Sequence, residues 1–121
     1  MAIKIYKPVV GTAGAVARNT TVYSAGVDLS GTTNTKIGLL LASTAGSITV
    51  TQQCSMDGTT FYDAVNAAGD AQGAVAATVT VTTGRYVEYT PTLAPYIRFK
   101  VVEGNTAATV VTLTVAVLEN E

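Results

Sequence analysis

Ser47-Ile-Thr-Val-Thr-Gln-Gln-Cys-Ser-Met56 alternates in character along its length. Ile48, Val50, Cys54 and Met56 fall on one side of an extended chain, and Thr49, Thr51, Gln53 and Ser55 on the other. A period of two suits a pleated strand with one buried face and cannot form a continuous stripe on a helix. Threonine on the wet side fits, because its branched side chain packs well on a pleated surface.

The same pattern recurs outward from this stretch. Tyr96-Ile-Arg-Phe-Lys-Val-Val102 places Ile97, Phe99 and Val101 inward, and Thr109-Val-Val-Thr-Leu-Thr-Val-Ala-Val117 does so with Val111, Leu113, Val115 and Val117. Thr78-Val-Thr-Val-Thr82 is a further strand, and weaker ones are expected at about 20–29, 36–43, 60–65 and 85–90. Turn residues separate them at Ser30–Asn34, Ala45-Gly46, Asp57-Gly58, Thr83-Gly84 and Glu103–Asn105. Asp57-Gly58 is the strongest of these signals, since a type I′ hairpin needs positive φ at both central residues. Asp63 to Ala77 is rich in alanine, but Gly69 and Gly73 interrupt it, so a loop is expected there. The class is all-β: an antiparallel β-sandwich of about eight strands, jelly-roll-like or immunoglobulin-like.

Residues 1–20 differ from this core and are expected to form an extended arm ahead of a sandwich domain at 21–121. From 7 to 21 the chain carries small residues, one proline and no strict period. Ile3 and Ile5 alternate with charged or polar residues and could add a strand to a neighbour's open edge, which makes Ile3, Ile5, Tyr6, Val9 and Val10 the candidate intersubunit contacts.

Composition bounds the chemistry. The 121 residues are 48% hydrophobic and 12% charged, with a formal net charge of -1, so nothing draws the chain to nucleic acid. With one cysteine, Cys54, no internal disulfide can form. No signal peptide is recognisable at the amino terminus, and Leu39-Leu-Leu-Ala42 is too short to cross a bilayer. The chain has no histidine, so a serine or cysteine triad lacks its usual base. The acids are scattered through different turns and strands; paired carboxylates of a glycosidase would have to meet through the fold. Zinc lacks its ligands, and calcium has only Asp57, Asp63 or Asp70 with loop carbonyls, at no diagnostic spacing. No phosphate-binding glycine motif occurs. We therefore expect no catalytic residue, no metal and no cofactor. Among the aromatics, Tyr62, Tyr86 and Tyr89 are the candidates for surface contact, while Phe61 and Phe99 read as packing residues.

Gln53-Cys-Ser-Met-Asp-Gly-Thr-Thr-Phe-Tyr-Asp63, followed by Ala94-Pro-Tyr-Ile-Arg-Phe-Lys-Val-Val102 and a closing Thr-Val strand, resembles the small β-sandwich proteins of tailed-phage structural modules. The resemblance spans about residues 36–118. It implies a non-enzymatic virion protein, a head decoration or cement protein on the outer surface of the capsid. Such a protein is made in the host cytoplasm, has the major capsid protein as its partner, and is homo-oligomeric with a trimer favoured. Similar hairpins occur in carbohydrate-binding and discoidin-like sandwiches, so a receptor- or glycan-binding module of a tail or baseplate is the alternative. Phe61 stands where those sandwiches commonly carry tryptophan. A small sandwich hydrolase is the third reading.

Overall fold

The computed structural model describes residues 2–79 and 82–120. Among them the elements are all strands: β1 (Ile3–Tyr6), β2 (Ala15–Val16), β3 (Thr21–Tyr23), β4 (Val27–Asp28), β5 (Thr32–Ser43), β6 (Ile48–Ser55), β7 (Tyr62–Asp63), β8 (Ala74–Val79), β9 (Arg85–Tyr89), β10 (Tyr96–Glu103) and β11 (Thr109–Glu119). Every pairing is antiparallel. A five-stranded sheet runs β1-β11-β5-β9, with β2 also on the β11 edge. A six-stranded sheet runs β3-β10-β6-β7, with β4 also on β10 and β8 also on β6. The expected sandwich is the fold, and its strand count exceeds eight because short pieces such as β2, β4 and β7 flank the long central strands.

The core forms where the two inner faces meet. Leu39, Leu41, Leu113 and Val115 of the first sheet pack in one cluster with Ile48, Val50, Ile97, Phe99 and Val101 of the second. Each such side chain contributes roughly 1.5–3 kcal/mol on leaving water. The inward residues expected of β10 and β11 are all buried. In β6 the alternation holds at Ile48 and Val50 and then departs from expectation. Met56 is 82% exposed, while Gln53 and Ser55, expected on the wet side, are buried. Residues 56–61 form a loop closed by side chains rather than a two-residue turn, which carries Met56 outward and covers Ser55, whereas Gln53 stays on the outer face beneath its bonds to Arg98 and Asp63. Gly58 has φ +84°, but Asp57 is absent from the positive-φ residues, so the turn is not type I′. The Asp57 carboxylate instead accepts from the backbone N–H of Thr59 and Thr60, both at 2.9 Å, and from the Ser55 hydroxyl at 3.0 Å. These bonds hold its carboxyl well below the usual carboxylate range, with Thr60 the largest influence.

Two other expectations change. β8 starts at Ala74, earlier than the strand expected at 78–82, of which residues 80 and 81 lie outside the described residues. The first twenty residues are part of the sandwich. β1 pairs with β11 in the register Ile3↔Leu118 to Tyr6↔Val115. Pro8, which has no N–H to offer a ladder, stands two residues beyond its end. The chain then crosses to the second sheet, where Val10 bridges Ser24 and the Gly11 N–H donates to the Tyr23 carbonyl at 3.0 Å. It returns to the first sheet as β2, paired at Ala15 and Val16 with β11. Val10 and Val16 are both 1% exposed.

Candidate functional site

Strand β5 contains Ile37-Gly-Leu-Leu-Leu-Ala42, which does not alternate, so both of its faces are apolar. Ile37, Leu39 and Leu41 fill the core, and Leu40 points outward. Cross-strand register extends that outer face over the whole sheet. Thr114, Leu40 and Tyr86 form one row, and Ile5, Ala116, Gly38 and Glu88 the next, with Ile3 beside Leu118. Ile3 is 68% exposed, Ile5 52% and Tyr86 64%. The Tyr86 side chain lies across Gly38, where a Cβ would collide with its hydroxyl and ring, so glycine is what lets this ring lie flat. Lys36 and Glu88 meet at 3.1 Å on the margin of the face, both well exposed. The exposed side chains of this face are thus largely apolar at Ile3, Ile5, Leu40 and Tyr86, with the Lys36–Glu88 pair neutralising itself at the margin.

A second apolar feature sits at the end of the sandwich beyond the 56–61 loop. A cleft of about 450 Å³ is lined by Leu29, Gly31, Met56, Leu93 and Pro95, with Met56 and Leu93 themselves over 80% exposed. Tyr62 and Asp63 line a smaller adjoining hollow of about 150 Å³.

The outer face of the six-stranded sheet is polar. The Arg98 guanidinium packs against the rings of Tyr23, at 4.2 Å, and Phe61, at 4.6 Å. Gly26 leaves room for this: a Cβ there would stand 3.3 Å from the Phe61 ring. Arg98 Nε donates to Gln53 Oε1 at 2.7 Å, and Gln53 Nε2 donates to Asp63 Oδ1 at 2.9 Å. Lys100 Nζ is 3.6 Å from the same Asp63 oxygen. The Gln53 amide, with help from Lys100 and against some burial, holds the Asp63 carboxyl below its ordinary value.

The expected contact residues are thus dispersed. Ile3 and Ile5 lie on the apolar face and Val9 is exposed in the first connection, whereas Val10 is core and Tyr6 is half-buried, its hydroxyl donating to the Asp28 carbonyl at 2.8 Å. Tyr62 is exposed beside β6, Tyr86 lies on the apolar face, and Tyr89 turns inward. The Tyr89 hydroxyl donates to Gln52 Oε1 at 2.7 Å, and burial, with Cys54 nearby, pushes that hydroxyl well above its ordinary value. Tyr89 is therefore a link between sheets, since β9 and β6 belong to different ones. Asp57, Asp63 and Asp70 are each engaged locally, the last with the Asn66 amide at 3.3 Å. Among the described residues no three acidic or cysteine side chains gather as metal ligands would. No helix of the described residues is long and apolar enough to cross a membrane. Leu40, Leu93 and the Tyr23–Arg98 pair escaped the sequence reading, and Met56, expected to face inward, is exposed instead. For Leu40 the signal was present in the unbroken apolar run of β5. No protein-family model and no curated protein sequence matches the chain.

Proposed function

We propose that the protein is a non-enzymatic structural subunit of a tailed-phage particle, a head decoration or cement protein that docks through the apolar outer face of its five-stranded sheet. The observation that carries this reading is the face itself: Ile3, Ile5, Leu40 and Tyr86 stand exposed on a sheet whose inner side is already fully packed. The core does not need these side chains, and large exposed apolar patches rimmed by polar residues mark contact with other proteins. The sequence resemblance supplies the phage setting, with the major capsid protein as partner, a homo-oligomer as the bound form, and the outer capsid surface as location.

The physical action is burial. Apolar area removed from water contributes about 25 cal/mol per Å². Each contact on a repeating lattice then makes the next one intramolecular, so modest individual contacts add through effective concentration. The test is sedimentation of the purified protein with expanded, undecorated heads of the phage that encodes it. Saturable co-pelleting is expected, and failure to pellet with the heads overturns the reading.

A further inference from the structure

We infer that the Arg98–Gln53–Asp63 row on the outer face of the six-stranded sheet binds an acidic sugar residue, a pyranose of the uronic or sialic type. This is the sandwich face opposite the apolar docking surface, and the inference does not depend on what that surface binds. A guanidinium carries five N–H donors in a planar fork. Arg98 commits its Nε to Gln53, and its terminal nitrogens make no hydrogen bond among the described residues. Two aromatic rings and the Gln53 carbonyl fix the group in place, so a ligand need not order a loose side chain. Such a pre-set fork matches a carboxylate with two parallel hydrogen bonds.

The second half of the site selects what carries that carboxylate. Asp63 uses Oδ1 for both Gln53 and Lys100, which leaves Oδ2 as an acceptor on a side chain 60% exposed. Arg98 and Asp63 flank Gln53 on adjacent strands, two strand spacings apart, about 10 Å between backbones. A sugar ring with an exocyclic carboxylate at one end and hydroxyls at the other offers an acceptor to Arg98 and donors to Asp63. A doubly charged phosphate fits less well, because the Asp63 charge repels it.

The test follows the Arg98 Nε–H and the backbone amides of residues 53, 63 and 98 by NMR. N-acetylneuraminic acid and glucuronic acid are titrated, with glucose and acetate as the neutral and bare-anion controls. Saturating shifts are expected with the acidic sugars, with glucose and acetate each weaker by about tenfold or more. Arg98→Lys, which keeps the charge and loses the fork, is expected to weaken the sugar by about tenfold. Asp63→Asn keeps an acceptor for the Gln53 amide while removing the charged acceptor for sugar hydroxyls, and is expected to weaken the sugar several-fold while acetate binds no more weakly than before. No shift in the wild-type protein at about 50 mM sugar, or acetate binding as tightly as the sugars, overturns the inference. So does unchanged sugar affinity in both variants. The wild-type titration gives its answer even where Arg98→Lys folds poorly.

Discussion

Glu103 carries a carboxylate with no exposed surface, an arrangement that costs stability unless the charge is well partnered. Here it is. Burial pushes the carboxyl upward, yet the backbone N–H groups of Asn19, Ser47, Thr106 and Ala107 outweigh it and bring the value from an ordinary 4.5 down to about 2. Gly46 makes the approach feasible: its φ is +71°, and a Cβ would stand 2.7 Å from the Ala107 carbonyl oxygen. One side chain thereby ties the segment before β3 to the β5–β6 and β10–β11 turns. A carboxyl with a depressed folded value adds stability that is complete above its unfolded value and is lost as pH falls through the folded one. Glu103→Gln should therefore be less stable than the wild type at neutral pH, with a gap that closes as pH drops from 4.5 through about 2. Urea midpoints of both proteins across that range check this, and a gap independent of pH would show that the charge is not what the amides hold. None of this was legible beforehand. Glu103 read as part of a Glu-Gly-Asn turn, because four donors from three separate turns converge only once the chain is folded.

At the scale of strands, the Tyr89–Gln52 hydrogen bond is a polar bridge inside an apolar core, joining β9 of one sheet to β6 of the other. Removing one partner leaves the other buried and unpaired, which costs about 1–3 kcal/mol, whereas replacing both with apolar groups can be nearly neutral. Tyr89→Phe should thus destabilise by about that amount, and Tyr89→Phe with Gln52→Leu should recover part of the loss; additive losses in the double-mutant cycle would count against the bridge. The long strands were legible because alternation reports burial directly, as at Ile97, Phe99 and Val101. Gln52 and Tyr89 were not, since a polar residue on an inward position announces no partner. The amino-terminal segment misled for a related reason. Its small residues and lack of period suit an arm, but they reflect a chain that changes sheets twice, so no stretch is long enough to alternate. Truncation separates the cases. Loss of residues 1–6 removes the edge strand β1 with the half-buried Tyr6 and its bond to Asp28 but leaves Val10 and Val16 in place, and should keep a cooperative unfolding transition of lower midpoint. Loss of residues 1–20 also removes Val10 and Val16, whose burial is worth roughly 3–6 kcal/mol of a typical total of roughly 5–15, and should abolish that transition. A cooperative melt of the shorter chain would restore the arm.

The whole molecule has two unlike outer faces on one shared core, and the proposed docking role calls for such sidedness, with a lattice on one side and solvent on the other. Sequence pattern revealed the sandwich but not the sidedness, because alternation separates in from out and says nothing about which outward residues share a sheet. Ile5, Leu40 and Tyr86 are far apart in the chain and become neighbours only through the β1-β11-β5-β9 order. Leu40 is the residue to change. It sits on a central strand with its side chain outward, so Leu40→Glu leaves the inner packing alone, and its effect on stability should stay within about 0.5 kcal/mol. The same glutamate would place an unpaired charge in the middle of any apolar contact, where an uncompensated buried charge is strongly unfavourable. If the proposed docking holds, Leu40→Glu should therefore melt like the wild type, lose the co-pelleting with undecorated heads expected of the wild type, and self-associate less than the wild type in sedimentation velocity. A variant that binds heads as the wild type does would move the docking surface elsewhere, with the Met56–Leu93 cleft as the next apolar feature to charge. Because the acidic-sugar row lies on the opposite sheet, sugar binding by Leu40→Glu should be unchanged, so the two faces can be lost one at a time.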